Sequence, residues 1–282
     1  MNFPKITIIT PNYNQDKYLE RTIRSVIQQG YPNLEYIVMD GGSTDGSVEI
    51  IKKYEDHISY WQSKKDNGMY DAINQGFQKS TGDIMGWINS DDFLHPKSLF
   101  LIAKIFTDLP KLSWIQGLPN VSNDDDHIVY IRPYRQYSKL DFLSDLKSQM
   151  WIQQESTFWK RELYIKAGNK LETNYKLAGD FDLWMRFFEY EKIYAINGLI
   201  GTYRITNSNA SMINNDLYMQ ESLKIISEIK LTIKEKIKLV FTKRLNLLKH
   251  IGNYEYIPFI RQLFNYPYKV SFDFKNNKFI IK

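Results

Sequence analysis

Residues 5–40 read KITIITPNYNQDKYLERTIRSVIQQGYPNLEYIVMD, and their pattern decides the fold. Lys5–Thr10 is an apolar, β-branched run that stops at Pro11, as a buried strand does. From Asp16 to Gln29 the apolar residues Leu19, Ile23, Val26 and Ile27 recur at helical spacing, and Gly30 follows as a stop signal. Leu34–Asp40 is a second strand. The alternation continues outward. The loop Gly41–Gly46 offers Thr44 or Asp45 as N-cap for a helix over Ser47–Tyr54. Ile58–Gln62 is a third short strand. Met69–Ser80 is a helix with Ala72, Ile73, Gly76 and Phe77 on one face. Asp83–Ile88 is a fourth strand, and Pro96–Asp108 a helix with Pro96 near its first turn. The expected class is α/β, with a mostly parallel central sheet and helices on both faces.

Ligands of such sheets sit beyond the carboxyl ends of the strands. Three polar clusters fall there: Thr10–Asn14, Asp40–Asp45 and Asn89–Asp92. In the last, two adjacent carboxylates repel each other at the end of an apolar strand. A divalent cation bound to phosphates would offset that repulsion, and hard oxygen ligands suit Mg²⁺ or Mn²⁺. The alternative at this point is that Asp91 and Asp92 cap the helix starting near Pro96. The acidic run Asn123–Asp126 lies between two expected strands, Trp114–Leu118 and Ile128–Arg132, and reads as a solvated turn. Further on, Ser156–Trp159 and Leu199–Tyr203 read as strands and Asp180–Tyr190 as a helix.

Composition narrows the function classes. The 282 residues are 43% hydrophobic and 24% charged, enough for a packed core and against bulk disorder. There is no Cys, which excludes a disulfide framework and cysteine metal clusters. Aromatics reach 15%, read first as core and surface filling and second as stacking platforms. Neither GxxxxGK[ST] nor GxGxxG occurs, so P-loop hydrolysis and dinucleotide redox chemistry lose their main supports. His57, His95, His127 and His250 are scattered without HExxH spacing, and no nucleophile elbow is present. The N-terminal residues have no long apolar region of the signal-peptide kind, and no window approaches 18 apolar residues. A cytoplasmic location is the resulting expectation.

Four segments together carry a family resemblance: ITIITPNYNQDKYLERTIRSVIQQ, EYIVMDGGSTDGS, DNGMYDAINQGFQKSTGDIMGWINSDD and AGDFDLWMRF. In order and spacing, over roughly residues 4–211, they resemble a family 2 glycosyltransferase with the GT-A fold. The resemblance implies an inverting, metal-assisted transferase that uses a nucleotide-diphosphate sugar, with UDP the most frequent carrier in the family. It implies that Thr10, Pro11 and Tyr13 hold the nucleotide base, and that Asp40 accepts a hydrogen bond from it. Asp66, Asn67 and Gly68 would pass close to the nucleoside. Ser90, Asp91 and Asp92 match the DxD motif for ribose and metal, with Asn89 where relatives often carry the first Asp. Asp180 matches the general base, and Gly179 stands where a Glu is common. Asp182 is expected to serve as helix N-terminal charge, the alternative being that it is the base. Arg204 and Ser211 match the basic and hydroxyl positions of a segment closing over the diphosphate, with Thr206 replacing a frequent His. The alternative for Arg204 is an ordinary salt bridge. Trp151, Gln154 and Glu155 fall on the acceptor side, where Trp151 stacks on a sugar or belongs to the core.

The expected division is a GT-A domain over 1–215 and a helical, basic extension over 216–282. The extension holds 13 Lys/Arg against 6 Asp/Glu, leaving 24 against 26 for the rest. Its apolar stripe from Leu223 to Ile251 fits helices packed on the domain, or a peripheral contact with an anionic membrane surface at the inner face of the cell membrane. Val270–Phe274 and Lys278–Ile281 read as a hairpin across Asn276–Asn277. The expected partners are a nucleotide-diphosphate sugar and a glycan or lipid-linked glycan acceptor of surface-polysaccharide synthesis, and no nucleic acid. Competing readings are a nucleotidyltransferase and a non-catalytic sugar-nucleotide or glycan-binding module.

Overall fold

The computed structural model describes residues 3–146, 151–206, 209, 214–246 and 258–282. Its strands, in chain order, are β1 (Ile6–Asn12), β2 (Leu34–Asp40), β3 (Tyr60–Ser63), β4 (Ile84–Trp87), β5 (Phe93–Leu94), β6 (Trp114–Gln116), β7 (Asn120–Ser122), β8 (Ile128–Ile131), β9 (Thr157–Lys160), β10 (Tyr194–Ala195), β11 (Gly201–Arg204), β12 (Val270–Asp273) and β13 (Lys278–Ile281). The helices are α1 (Asp16–Ile27), α2 (Ser47–Lys53), α3 (Met69–Lys79), α4 (Ser98–Asp108), α5 (Lys139–Ser144), α6 (Arg161–Lys166), α7 (Gly179–Phe187), α8 (Asn215–Glu228), α9 (Ile233–Asn246) and α10 (Pro258–Phe264).

Seven strands form the main sheet in the order β10-β6-β9-β4-β1-β2-β3. The β3-β2-β1-β4 half is parallel, as expected, and β9 enters antiparallel between β4 and β6. A second sheet runs β5-β11-β7-β8. Successive residues of β1 and β2 alternate between two cores, Ile9, Ile37 and Met39 on one side and Ile8, Tyr36 and Val38 on the other. Strands buried on both faces read as continuous apolar runs, which is why they were legible. The first core is aromatic: the Trp184 ring stacks on Trp87 at 5.9 Å and on Trp114 at 5.6 Å. The high aromatic content thus goes largely into packing.

Several expectations shift. β1 runs past Pro11 to Asn12, because its ladder with β4 ends at Ile9 and leaves one side of the strand free to tolerate a proline. Helix α4 starts at Ser98, behind Lys97 at φ +65°, so Asp91 and Asp92 do not cap it. The α2 helix has Gly46 at its N-cap position, yet Asp45 supplies the acceptor: its Oδ1 takes the Ser47 N–H at 3.0 Å and its Oδ2 the Asp16 N–H at 3.0 Å. One carboxylate so serves the starts of both α1 and α2.

Asn123–Asp126 is the exposed turn expected, with Asp124 and Asp125 at the surface, but two of its carboxylates are engaged. Asp124 accepts from Lys17 and from the Tyr18 hydroxyl at 2.6 Å, and Asp126 accepts from Arg21 Nε at 2.7 Å and from Arg204. The β7–β8 hairpin is therefore latched onto α1.

The chain after residue 215 shares the core. Ile225 of α8 belongs to the Trp184 cluster, and Val270 of β12 to the cluster under α4. Helix α9 packs on α5, where Lys139 pairs with Glu235 at 3.1 Å. The β12–β13 hairpin forms as expected, with Asn277 at φ +50° supplying the turn that lacks glycine. Among the described residues, no helix is long and apolar enough to cross a membrane.

Candidate active site

The carboxyl ends of β1, β2 and β4 open onto one cleft of about 760 Å³. Pro11 lines it near the end of β1 and Tyr13 just past it, Asp66 and Gly68 beyond β3, and Ser90 and Asp91 beyond β4. Gln154, Glu155 and Asp180 complete this part of the lining. These expected residues converge on one surface although up to 170 positions separate them in the chain. The Tyr13 ring is 62% exposed, so its face is available to a ligand. Gly68 takes φ +108°, a backbone conformation that favours glycine, and no protein atom lies within 4 Å of where its Cβ would be.

Other expected residues lie beneath the surface. Thr10 is buried, its Oγ1 3.0 Å from the Tyr36 hydroxyl. Asp40 is buried and bound by five donors: Asn12 Nδ2 at 2.7 Å, the Ser43 hydroxyl at 2.5 Å, the Ser63 hydroxyl at 2.6 Å, and the N–H groups of Gly42 at 3.1 Å and Ser43 at 2.9 Å. Burial pushes its carboxyl up, but these bonds outweigh it and hold the group below its ordinary value. These bonds shape the Gly41–Ser43 turn, and Asp40 itself is not among the cleft-lining residues. Asn67 turns to Asp71, 3.2 Å from its Nδ2, and does not line the cleft. Trp151 packs edge-on against Phe181 and Tyr218, behind the lining. Ser211 lies outside the described residues.

Asp92 and Arg204 are the clearest corrections. Asp92 is fully buried, its Oδ1 accepting the Arg204 N–H at 2.9 Å and its Oδ2 the Asn89 Nδ2 at 3.1 Å. It does not face a cation alongside Asp91. Arg204 is 1% exposed, paired with Asp126, with its guanidinium 4.9 Å from the Tyr18 ring centre and 5.4 Å from that of Phe93. It ties the second sheet to α1 and is not presented to a diphosphate. Asp182 pairs with Arg186 at 2.7 Å, as a structural charge should.

Asp180 sits in the first turn of α7 on the cleft wall, and its Oδ1 is buried without a hydrogen-bond partner. Burial, assisted by the nearby Glu155 charge, pushes its carboxyl up to about 7. Gly179 beside it has a plain cause: a Cβ there would lie 2.7 Å from the Tyr70 ring. Burial also raises Asp66, Asp91 and Glu155, and raises Asp92 well above the ordinary range with help from Glu155 and Asp91. Among the described lining residues, Lys65 is the single cationic side chain. A cleft so rich in carboxyls admits an anionic ligand only with added positive charge.

Sequence reasoning missed Lys65, Tyr70, Asn209 and Tyr218 on the lining. Asn209 Nδ2 donates to Asp91 Oδ2 at 3.1 Å. Tyr218 comes from α8, and its ring stands edge-on to Trp151 at 4.7 Å. Glu221, one turn on, accepts the N–H groups of Lys176, Leu177 and Ala178 at 2.8–2.9 Å and so shapes the approach to Asp180. No local pattern marks Tyr218 and Glu221, because their roles arise from where α8 packs.

The donor set fits a hard divalent cation in part. Asp91 offers one carboxylate on the cleft, and the Asn89 Oδ1 on the same wall is buried without a partner. Among the described residues no group of three or more His, Asp or Glu could hold a metal unaided. Ligand oxygens would have to complete the shell, as Mg²⁺ and Mn²⁺ sites at phosphates do.

Residues 7–176, more than half of the chain, match the family model described as Glycosyl transferase family 2. An uncharacterized glycosyltransferase of Mycobacterium tuberculosis is 41% identical over 185 residues, covering 65% of this chain and 68% of that protein. One of Rickettsia typhi is 28% identical over 195 residues, covering 68% of this chain and 61% of its own length. The chain thus spans about three fifths of the rickettsial relative. Among solved structures, Staphylococcus aureus TarS 1–349 with UDP-GlcNAc superposes with TM-score 0.66 at 16% identity, over 92% of this chain and 77% of that one. The mannosyltransferase PcManGT of Pyrobaculum calidifontis, solved with GDP-Man and Mn²⁺, gives 0.63 at 19%, over 88% and 71%.

Proposed function

The chain belongs to glycosyl transferase family 2, and from that premise we propose that it transfers one sugar from a nucleotide-diphosphate sugar to a hydroxyl of a glycan or lipid-linked glycan, with inversion. The observation that carries this reading is Asp180: a carboxyl on the cleft wall, raised to about 7 and with an unpartnered oxygen. Inversion needs the acceptor hydroxyl to attack from the face opposite the leaving diphosphate. A carboxylate within about 3 Å can take its proton, and a base near 7 is matched to neutral pH.

The donor lies across the strand ends in this reading. Its base meets the exposed Tyr13 ring and the Asp66–Gly68 loop, beside the Gly41–Ser43 turn that Asp40 holds. Ser90 and Asp91 face the ribose and diphosphate, and Lys65 on the lip adds positive charge. Asp91, with the Asn89 oxygen beside it, would hold Mn²⁺ or Mg²⁺. When bound, such a cation neutralises diphosphate charge as a Lewis acid. The acceptor enters over Gln154, Glu155 and Tyr218. Gln154 donates to the Trp87 carbonyl at 2.7 Å, which leaves its buried Oε1 to accept from a sugar hydroxyl. UDP is the favoured carrier, and TarS with UDP-GlcNAc supports it as PcManGT with GDP-Man supports a second choice.

A thermal-shift panel of UDP-, GDP-, TDP- and CMP-linked sugars, with and without Mn²⁺, tests the donor site. A metal-dependent rise with one nucleotide class is expected, about 2.7 kcal/mol at roughly 100-fold saturation. No shift with any of them would sink the donor assignment. Release of a nucleoside diphosphate rather than pyrophosphate separates transfer of a sugar from transfer of a nucleotide.

A further inference from the structure

Helix α9 packs one mixed face on the fold and leaves an apolar face outside. Leu239 packs with Leu140, Ile260 and Leu263, Thr242 is fully buried, and Glu235 turns inward to Lys139. On the opposite side stand Ile233, Ile237, Val240 and Phe241, 77%, 54%, 55% and 52% exposed. At the helical repeat these four fall within a sector roughly 100° wide. Lys234 and Lys238 border that sector on one flank, Lys236 and Lys243 on the other. The positive charge is dense there: besides its own burial, the charges of Arg261 and Lys238 hold the Lys192 ammonium below its ordinary value.

We propose that this outer stripe of α9 is a docking face for an anionic lipid surface. An apolar stripe between two rows of lysines suits a bilayer: the apolar side chains enter the acyl boundary while the long lysine stems reach the anionic headgroups. The same charges disfavour a second copy of the chain, because pairing two such stripes would set lysine rows against lysine rows. The proposal deepens the glycosyltransferase reading and rests on it for its purpose, since a lipid-linked acceptor lies at such a surface. Its test needs neither donor nor acceptor, so the two can fail separately.

The test is flotation of the full chain with vesicles of phosphatidylcholine alone and of phosphatidylcholine with phosphatidylglycerol, at low and high salt. Preferential binding to the anionic vesicles, weakened by salt, is expected. Ile237→Ser with Phe241→Ser should reduce binding by about tenfold or more. Replacing Lys234, Lys236, Lys238 and Lys243 by Gln should remove the preference for anionic lipid. Ile237, Phe241, Lys234, Lys236 and Lys243 are exposed and Lys238 is half-buried, and an unchanged melting profile confirms the fold of each variant. Wild-type chain that stays with the lipid-free fraction overturns the proposal, as does equal flotation of the Ser double variant. A concentration-dependent dimer that the double variant abolishes, without vesicle binding, assigns the stripe to a second copy instead.

Discussion

Burial pushes the Asp180 carboxyl up to about 7 from an ordinary 3.8, so the folded chain holds that proton more tightly than the unfolded chain. The associated stability is present at low pH and is lost as pH rises through about 7. Asp180→Asn removes the loss. It should raise Tm by about 2–4 °C at pH 8 and leave it unchanged near pH 4, a difference that calorimetry at the two pH values reads. Transfer has the opposite requirement, and kcat/KM should climb with pH through an apparent value near 7. Asp91→Ala should weaken metal-dependent donor binding by about tenfold or more while leaving metal-free binding unchanged, measured by titration with and without Mn²⁺. At this scale the sequence showed residue types better than their aim. Asp91 and Asp92 are adjacent, yet one faces the cleft and the other the Arg204 backbone. Arg204 has the chemistry of a diphosphate ligand, but Tyr18, Phe93 and Asp126 enclose it.

Elements place these groups, and two supports recur. The first is the latch of the β7–β8 hairpin on α1. Asp126→Ala leaves the Arg204 guanidinium buried without its carboxylate, and should cost about 3 kcal/mol in a denaturant titration. The second is Glu221, whose carboxylate takes three successive N–H groups ahead of α7. Glu221→Ala should destabilise the chain by about 2 kcal/mol and lower kcat more than it changes donor affinity, because Asp180 loses its set position. The parallel half of the sheet was legible because its strands are apolar on both faces and its helices amphipathic. The antiparallel course of β9 was not, since a four-residue strand carries no mark of its direction. The latch was missed because four consecutive polar residues read as solvated unless the opposing Lys17, Tyr18 and Arg21 are seen in space.

The whole molecule joins the strand-end edge to the α8 side of the cleft, and neither side is complete alone. Tyr218 and Glu221 lie beyond the expected boundary at 215, and Ile225 fills the main core. A chain ending at 215 should therefore lack a cooperative melting transition and bind no nucleotide sugar, and a cooperative transition would show that the first unit folds alone. The expected division rested on charge and helicity, with 13 Lys/Arg against 6 Asp/Glu after residue 215. The shared core escaped it, because the long apolar stripe fits packing and lipid contact equally well until the helices are seen docked.

The most direct measurement is a paired titration and single-turnover assay of Asp180→Asn with its donor and Mn²⁺. The variant should bind the donor within about twofold of wild type and transfer sugar at least 10³-fold more slowly, the scale of lost general-base catalysis. Transfer at the wild-type rate with donor bound would contradict Asp180 as the base.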